Sequence, residues 1–142
     1  MKVEGFLRRL CAVLALLLNL GFAVPYCGWC SWAVAQGPFI QSAERLEREK
    51  NFAAAARAYG EAIKIVGRDK QVDKAKLGQL YVKRGYCYQR SGASEEAVLD
   101  LERSVSLGHR GKHLERYLGE AYLNTSQFDK AIEVINEGIK KS

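Results

Sequence analysis

The sequence predicts an all-α protein, an antiparallel helix-hairpin solenoid of three helix pairs behind an apolar N-terminal segment. Apolar residues recur every three or four positions from Phe39 to the C-terminus, which is the period of amphipathic helices. Small residues recur where the two helices of each hairpin would cross. The pattern repeats with a period of 34 residues between Gly85 and Gly119, which is typical of stacked helical repeats. With 142 residues, 48% of them hydrophobic and 27% charged, the chain has room for one folded module.

The N-terminal segment carries no charged residue from Leu10 to Ala43, and basic residues precede it at positions 2, 8 and 9. A basic start followed by an apolar, helix-forming stretch is typical of export signals. The small residues Ala33 and Ala35, just before Gln36, fit the site at which a signal peptidase cuts. We therefore predict a signal peptide at residues 1–35 and a mature domain at residues 36–142.

Two alternatives for this segment stay open. Cleavage after Ala23 would leave Cys27 and Cys30 on the mature chain. Without cleavage, the stretch from Leu10 to Trp32 is long enough to anchor the chain in the inner membrane. All three alternatives put the rest of the chain outside the cytoplasm. The sequence thus predicts a periplasmic or secreted bacterial protein, or one anchored in the inner membrane and facing the periplasm.

Cys27 and Cys30 form a Cys-x-x-Cys pair at the end of this segment. Such a pair is redox-active when its first thiolate lies at a helix N-terminus in a thioredoxin-like βαβ unit. Here a membrane-type stretch precedes the pair and a helical pattern follows it, so we interpret the pair as incidental. A membrane-tethered thiol-disulfide active protein that uses Cys27 and Cys30 is the alternative function.

The first hairpin is predicted from a helix at about Phe39 to Lys50 and a second helix that starts after Asn51. Asn51 is a residue type that caps helix N-termini. The second helix has one apolar stripe, formed by Phe52, Ala55, Ala56, Tyr59, Ala62, Ile63 and Val66.

The next two hairpins follow the same pattern. Ser94, with Glu95 and Glu96 in the first turn, marks a helix start, because carboxylates suit the positive end of the helix dipole. The predicted crossings pair small residues: Ala43 with Ala55, Gly85 with Ala97, and Gly119 with Ala131. Larger side chains are expected to fill the space beside each crossing, namely Tyr59, Leu101 and Ile135.

The last predicted helix, Phe128 to Lys141, carries its main apolar stripe at Ile132, Ile135 and Ile139. Val134 lies off that stripe, on the face where a next repeat would pack. Either the charged neighbours make this face soluble, or it pairs with another chain. A homo-oligomer through the C-terminal helix is therefore one predicted partner.

These residues resemble the tetratricopeptide repeat family, whose pattern has an aromatic, Leu-Gly, Tyr and then Ala-x-x-x-aromatic at a 34-residue period. The resemblance covers about residues 37 to 141, with repeats at about 37–67, 78–109 and 112–141. Ser42-Ala43 stands in place of Leu-Gly, and Gly67 and His109 stand where the family has a closing Pro. These departures affect the repeat boundaries more than the fold.

The resemblance implies that the first helix of each repeat lines a concave surface that binds a protein or peptide segment. Tyr86 would be the anchor and the arginines would meet carboxylates. Family members that clamp a C-terminal carboxylate use Lys and Asn where this chain has Ile40 and Glu44, which disfavours that mode. The residues placed in the groove are Val82, Tyr86, Gln89, Arg90, Arg116, Glu120 and Leu123, with Ile40, Glu44 and Glu47 from the first repeat.

Catalytic and metal chemistry have little support in the sequence. His109 and His113 are the only histidines, no third or fourth ligand has zinc-site spacing, and Cys87 lies at an apolar position that suits core filling. The net charge is +6, and the densest basic stretch, residues 64–76, is interleaved with Asp69 and Asp73. The sequence therefore predicts no enzyme, metal, cofactor or nucleic-acid partner.

Overall fold

Six α-helices make up the part of the chain that the computed structural model describes, which is residues 28–68, 73–111 and 113–140, with side chains from Gly37 onward. No strand occurs in these residues. The helices are α1 (Gly28–Arg48), α2 (Phe52–Gly67), α3 (Lys74–Ser91), α4 (Ser94–Ser106), α5 (Leu114–Asn124) and α6 (Phe128–Lys140). Each helix packs on the next, and α3 also contacts α5. The predicted all-α hairpin solenoid is confirmed.

The first helix is longer than predicted, because α1 begins at Gly28 rather than at Phe39. Pro38 lies inside α1. It removes one backbone hydrogen bond without ending the helix, whose second half is held by the buried contact of Ala43 with α2. Lys50, with a φ of 59°, turns the chain after Arg48. Helix α1 crosses the predicted cleavage site, and the domain boundary there stays a prediction.

The predictions upstream of Gly28, which include Cys27, cleavage after Ala23 and most of the anchor, lie outside the described residues. Within the described part, no helix combines the length and the apolar character needed to cross a bilayer.

Polar side chains cap two of the helices. The Asn51 carbonyl oxygen accepts a hydrogen bond from the Ala54 N–H at 3.3 Å, which confirms the predicted cap of α2. Asp73 caps α3 by accepting from Ala75 and Lys76, so α3 begins four residues before the predicted repeat start at 78. Helix α4 has Glu95 and Glu96 in its first turn as predicted, but the position before Ser94 is Ala93, which makes no side-chain cap bond. The interpretation of Ser94 as a cap is therefore wrong.

The predicted crossing residues are all buried. They are Ala43, Ala55, Gly85, Ala97, Gly119 and Ala131. A Cβ atom added at Gly85 would lie 3.0 Å from Leu101 Cγ, and one added at Gly119 would lie 2.7 Å from Ile135 Cγ1. Both distances are shorter than ordinary contacts, so the helices approach each other through the missing side chains.

The buried apolar residues form two clusters, and Tyr88 packs against both. The first joins α1, α2 and α3 through residues that include Ala43, Tyr59 and Cys87. The second joins α4, α5 and α6 through residues that include Leu101, Leu118 and Ala131. The core thus continues from one hairpin to the next, as expected for a solenoid.

The orientation of α6 differs from the prediction. Val134 is half-buried and packs against the second cluster, whereas Ile132 and Ile139 expose 59% and 67% of their surface. Ala131 is the only fully buried residue of α6, and its contact with α5 turns Val134 inward. The prediction that Ile132, Ile135 and Ile139 form the inward stripe is therefore wrong, and Ile135, which exposes 38%, only partly fills its crossing.

Candidate functional site

An open groove of about 430 Å³ lies between the C-terminal half of α1, the start of α2 and the middle of α3. We call it the inner groove. It is lined by Glu44, Glu47, Arg48, Lys50, Phe52, Lys83, Tyr86 and Arg90.

Two aromatic rings, Phe52 and Tyr86, give the inner groove its apolar surface. The edge of one ring meets the face of the other with 6.1 Å between centroids and an angle of 88°. This arrangement is favourable for aromatic pairs because it opposes the charges of ring face and ring edge. Tyr86 also contacts Tyr117 of α5 at 5.1 Å. One side chain therefore links the first, second and third hairpins.

The two carboxylates of the inner groove already have partners. Lys83 Nζ donates to Glu44 Oε1 at 2.6 Å and lies 5.7 Å from the centroid of the Tyr59 ring. The Tyr59 hydroxyl donates to Glu47 Oε2 at 2.8 Å. Burial, followed by the hydrogen bond to Glu47, raises the pKa of Tyr59 well above its ordinary value. The phenol therefore stays a neutral donor and holds Glu47 at the groove wall.

The cations of the groove are in excess. Arg90 lies over the Phe52 ring, with the guanidinium carbon 5.5 Å from the centroid. Within the described residues, Arg48, Lys50 and Arg90 form no ion pair with a carboxylate. The groove therefore offers three cations and two aromatic rings, an arrangement that can bind a segment containing carboxylates and an apolar side chain.

The predicted groove residues fall into two sets. Tyr86, Arg90, Glu44 and Glu47 line the inner groove together. The others lie outside it: Gln89 donates to Glu120 at 3.0 Å, Arg116 lies 5.0 Å from the centroid of the Tyr117 ring, Leu123 is exposed, and Ile40 and Val82 are half-buried against the two apolar clusters.

Four lining residues were not among those predicted. Arg48, Lys50 and Phe52 come from the end of α1, the turn and the start of α2, whereas the prediction used only the first helix of each repeat. Phe52 lies 34 residues before Tyr86, and this spacing is a signal that could have found it. Lys83, one turn before Tyr86, could have been found from the helical period.

The nucleophiles and histidines of the described residues are separate from one another. No group of three His, Cys, Asp or Glu side chains in this part of the chain could hold a metal ion. His109 packs on Gly78, while His113 lies just before α5 and its ring contacts Tyr117. Cys87 is fully buried, and burial raises the pKa of its thiol to about 12. Cys87 is therefore a protonated core residue at neutral pH.

Comparisons with known proteins agree with this geometry. The tetratricopeptide repeat model matches residues 78–107, from α3 to the end of α4. The chain is also similar to Hsp70-Hsp90 organizing protein 1 of Glycine max, with 26% identity over 100 residues. The aligned segment is 70% of this chain but 16% of the relative, so the chain spans only a small part of that protein's length.

Sequential helix hairpins with a groove on one side define a helical-repeat protein of the interaction-module class. The chain is a member of the tetratricopeptide repeat family. Members of this family generally bind protein partners and are generally not catalytic.

Proposed function

We propose that the chain is a non-catalytic binding module whose inner groove holds a protein segment that is acidic and carries an aromatic or large apolar residue. The observation that carries the proposal is the grouping of Arg48, Lys50 and Arg90 around the Phe52–Tyr86 ring pair. The rings supply contact area, and the cations supply charge complementarity and orientation.

A clamp for a chain-terminal carboxylate is not part of this proposal. The relative's name states that it organises Hsp70 and Hsp90, and we do not extend those partners to this chain. At the wall where a carboxylate would have to bind, Glu44 is negative and its partner Lys83 is already engaged at 2.6 Å. An internal acidic segment that contacts Arg48 and Arg90 avoids this repulsion.

The proposal is tested with a display library of random peptides and the full chain as bait. We expect selected peptides to be rich in Asp and Glu and to contain an aromatic residue, with binding that weakens as salt is added. Tyr86→Ala combined with Arg90→Ala should weaken binding of a selected peptide by about tenfold or more, because central aromatic and Arg residues dominate binding energies.

A matched control replaces an exposed apolar residue and an exposed arginine of α4, Leu99→Ala with Arg103→Ala. This control should bind as the unchanged chain does. Equal binding by the Tyr86 and Arg90 double variant, or selection of basic peptides, would refute the proposed groove.

We also propose export of the chain, supported by the uncharged run from Leu10 to Ala43 behind a basic start. N-terminal sequencing of the protein from its host should give Gln36 after the favoured cleavage or Val24 after the earlier one, whereas an intact N-terminus would favour a membrane tether. The thiol-active alternative stays a prediction, since Cys27 and the Cys30 side chain lie outside what is described. Self-association through the C-terminal helix also stays a prediction at this point.

A further inference from the structure

The outer face of α6 carries an exposed apolar stripe. Its members are spaced by four, three and four residues, so they lie on one side of the helix. They are Phe128, Ile132, Ile135 and Ile139, which expose between 38% and 67% of their surface.

Equivalent positions in the preceding repeat are covered. One period of 34 residues before Ile132 and Ile135 stand Val98 and Leu101 of α4, and both are buried in the cluster that includes Leu114 and Leu118 of α5. The stripe on α6 thus continues, at the end of the array, the kind of surface that α5 covers on α4. A helix with its own apolar stripe is the element that fits such a surface.

The charges beside the stripe indicate which helix fits. Asp129, Glu133, Asn136 and Lys140 follow one another at the same four, three and four spacing, and they lie on the exposed side of α6 next to the stripe. Within the described residues, Asp129, Glu133 and Lys140 make no ion pair. When a second copy of this row runs in the opposite direction, a Lys lies against each Asp and an Asn lies against each Glu.

We propose that α6 is a self-association surface on which two copies of the chain pair antiparallel about a twofold axis. The two apolar stripes face each other, Ile132 of one copy lies beside Ile135 of the other, and Asp129 lies beside Lys140 of the second copy at both ends. The contact is self-complementary and closed, which is the common geometry of dimers.

A head-to-tail array of copies does not fit the other end of the molecule. The α1 positions that correspond to Leu80 and Cys87 of α3, counted back 42 residues as from Gly85 to Ala43, are Pro38 and Arg45. Leu80 and Cys87 are buried, whereas Pro38 and Arg45 are exposed. The leading face of the array therefore has no apolar stripe to cover α6.

The test co-expresses two full-length copies that carry different affinity tags joined after Ser142, and measures how much of one copy is captured with the other. Asp129→Lys in both copies puts two positive charges beside each other at each end of the pair, and Lys140→Asp in both copies does the same with two carboxylates. Each change should lower co-capture by about fivefold or more, because attraction becomes repulsion at two symmetric positions.

The mixed pair is the matched rescue. When an Asp129→Lys copy is paired with a Lys140→Asp copy, one end of the pair joins the two unchanged residues' positions in their reversed signs and the other restores neither original residue pair. The reversed Asp129→Lys side chain then faces the reversed Lys140→Asp side chain with opposite charges, and the unchanged Asp129 faces the unchanged Lys140 of the other copy. Every end again has opposite charges, so co-capture should return to within about twofold of the unchanged pair.

A second variant tests the apolar stripe. Ile132→Glu should lower co-capture, while Leu99→Glu, at an equally exposed leucine of α4, should leave it unchanged. The groove variant, Tyr86→Ala with Arg90→Ala, should also leave it unchanged, which separates this proposal from the proposed function.

Three results would overturn the proposal. The first is no co-capture of the unchanged chain above an unrelated tagged protein, and the second is co-capture that the charge reversals do not alter. The third is a mixed pair that fails to recover, which would mean that α6 does not pair antiparallel with itself.

Discussion

At the scale of single residues, the most constrained polar contact is the ion pair of Arg84 with Asp100. Arg84 donates from Nε and from a terminal nitrogen to the two carboxylate oxygens at 2.6 and 2.7 Å. The guanidinium carbon also lies within 5.6 Å of the Tyr81 and Tyr88 ring centroids. The hydrogen bond to Asp100 raises the pKa of Arg84. Because Asp100 is buried, the pair links α3 to α4 only while both partners are present.

Removing one partner of this pair should therefore destabilise the fold. We expect Arg84→Met to lower the free energy of unfolding by about 3 kcal/mol, since it leaves the Asp100 carboxylate buried and unpaired. Arg84→Met with Asp100→Leu should recover much of that loss. Chemical denaturation followed by circular dichroism measures both, and an Arg84→Met protein as stable as Arg103→Met, a change at an exposed arginine, would contradict this expectation.

Cys87 makes stability depend on alkaline pH. Its pKa is about 12 in the fold against 9.0 for an ordinary thiol, with burial as the main cause. A raised pKa favours the protonated form in the folded state, so this contribution is complete below pH 9 and is lost as the pH rises toward 12. We expect Cys87→Ala to flatten the fall in stability across this window by up to about 1.4 kcal/mol per pH unit. Tyr59 is present in both proteins, and parallel stability curves would contradict the expectation.

At the scale of elements, the distance between paired helices depends on what a glycine faces. Leu101, which faces Gly85, is fully buried, whereas Ile135, which faces Gly119, is partly exposed and can move outward. The two crossings have the same sequence pattern and similar distances, but they differ in how easily the neighbouring side chain can yield.

This difference predicts an order of effects for one substitution at two sites. Gly85→Ala should destabilise the protein by about 1–3 kcal/mol, because the added methyl group presses on a side chain that cannot move. Gly119→Ala should be near neutral, because the strain is relieved at Ile135 and alanine is favoured in a helix by about 1 kcal/mol. Thermal melting of the two variants compares them, and an equal or reversed order would mean that both crossings are equally rigid.

At the scale of the whole molecule, burial decreases from the first hairpin to the last. Helix α2 has seven buried residues, whereas α6 has one. In a solenoid each repeat is stabilised mainly by its neighbours, so the terminal helix is the least stabilised. The array should therefore open from its C-terminal end.

Hydrogen exchange tests this gradient. We expect the amides of α2 and α3 to exchange slowest and those of α6 fastest in dilute protein, because local opening requires less buried surface to be exposed there. Protection of α6 should rise with protein concentration if two copies pair through it. Uniform protection across all six helices would argue against a stability gradient.

The sequence was sufficient to predict the fold class and the crossing residues, because both follow from period and from side-chain size. It was not sufficient for the rotation of α6, since Val134 and Ile135 are both apolar and only the contact of Ala131 with α5 decides which one faces inward. In the groove, Tyr86 and Arg90 could be predicted from the first helix of the second repeat. Phe52 and Lys50 could not be predicted in that way, because they come from the turn between two helices and enter the groove only through packing.

The position of Tyr86 between Phe52 and Tyr117 also has a mechanical consequence. Any change in superhelical curvature that separates the first hairpin from the third must move at least one of these neighbouring rings away from it. A segment bound against Tyr86 would then resist bending of the array, and a force that straightens the array would release the segment. Occupancy and elasticity are coupled through a single phenol ring.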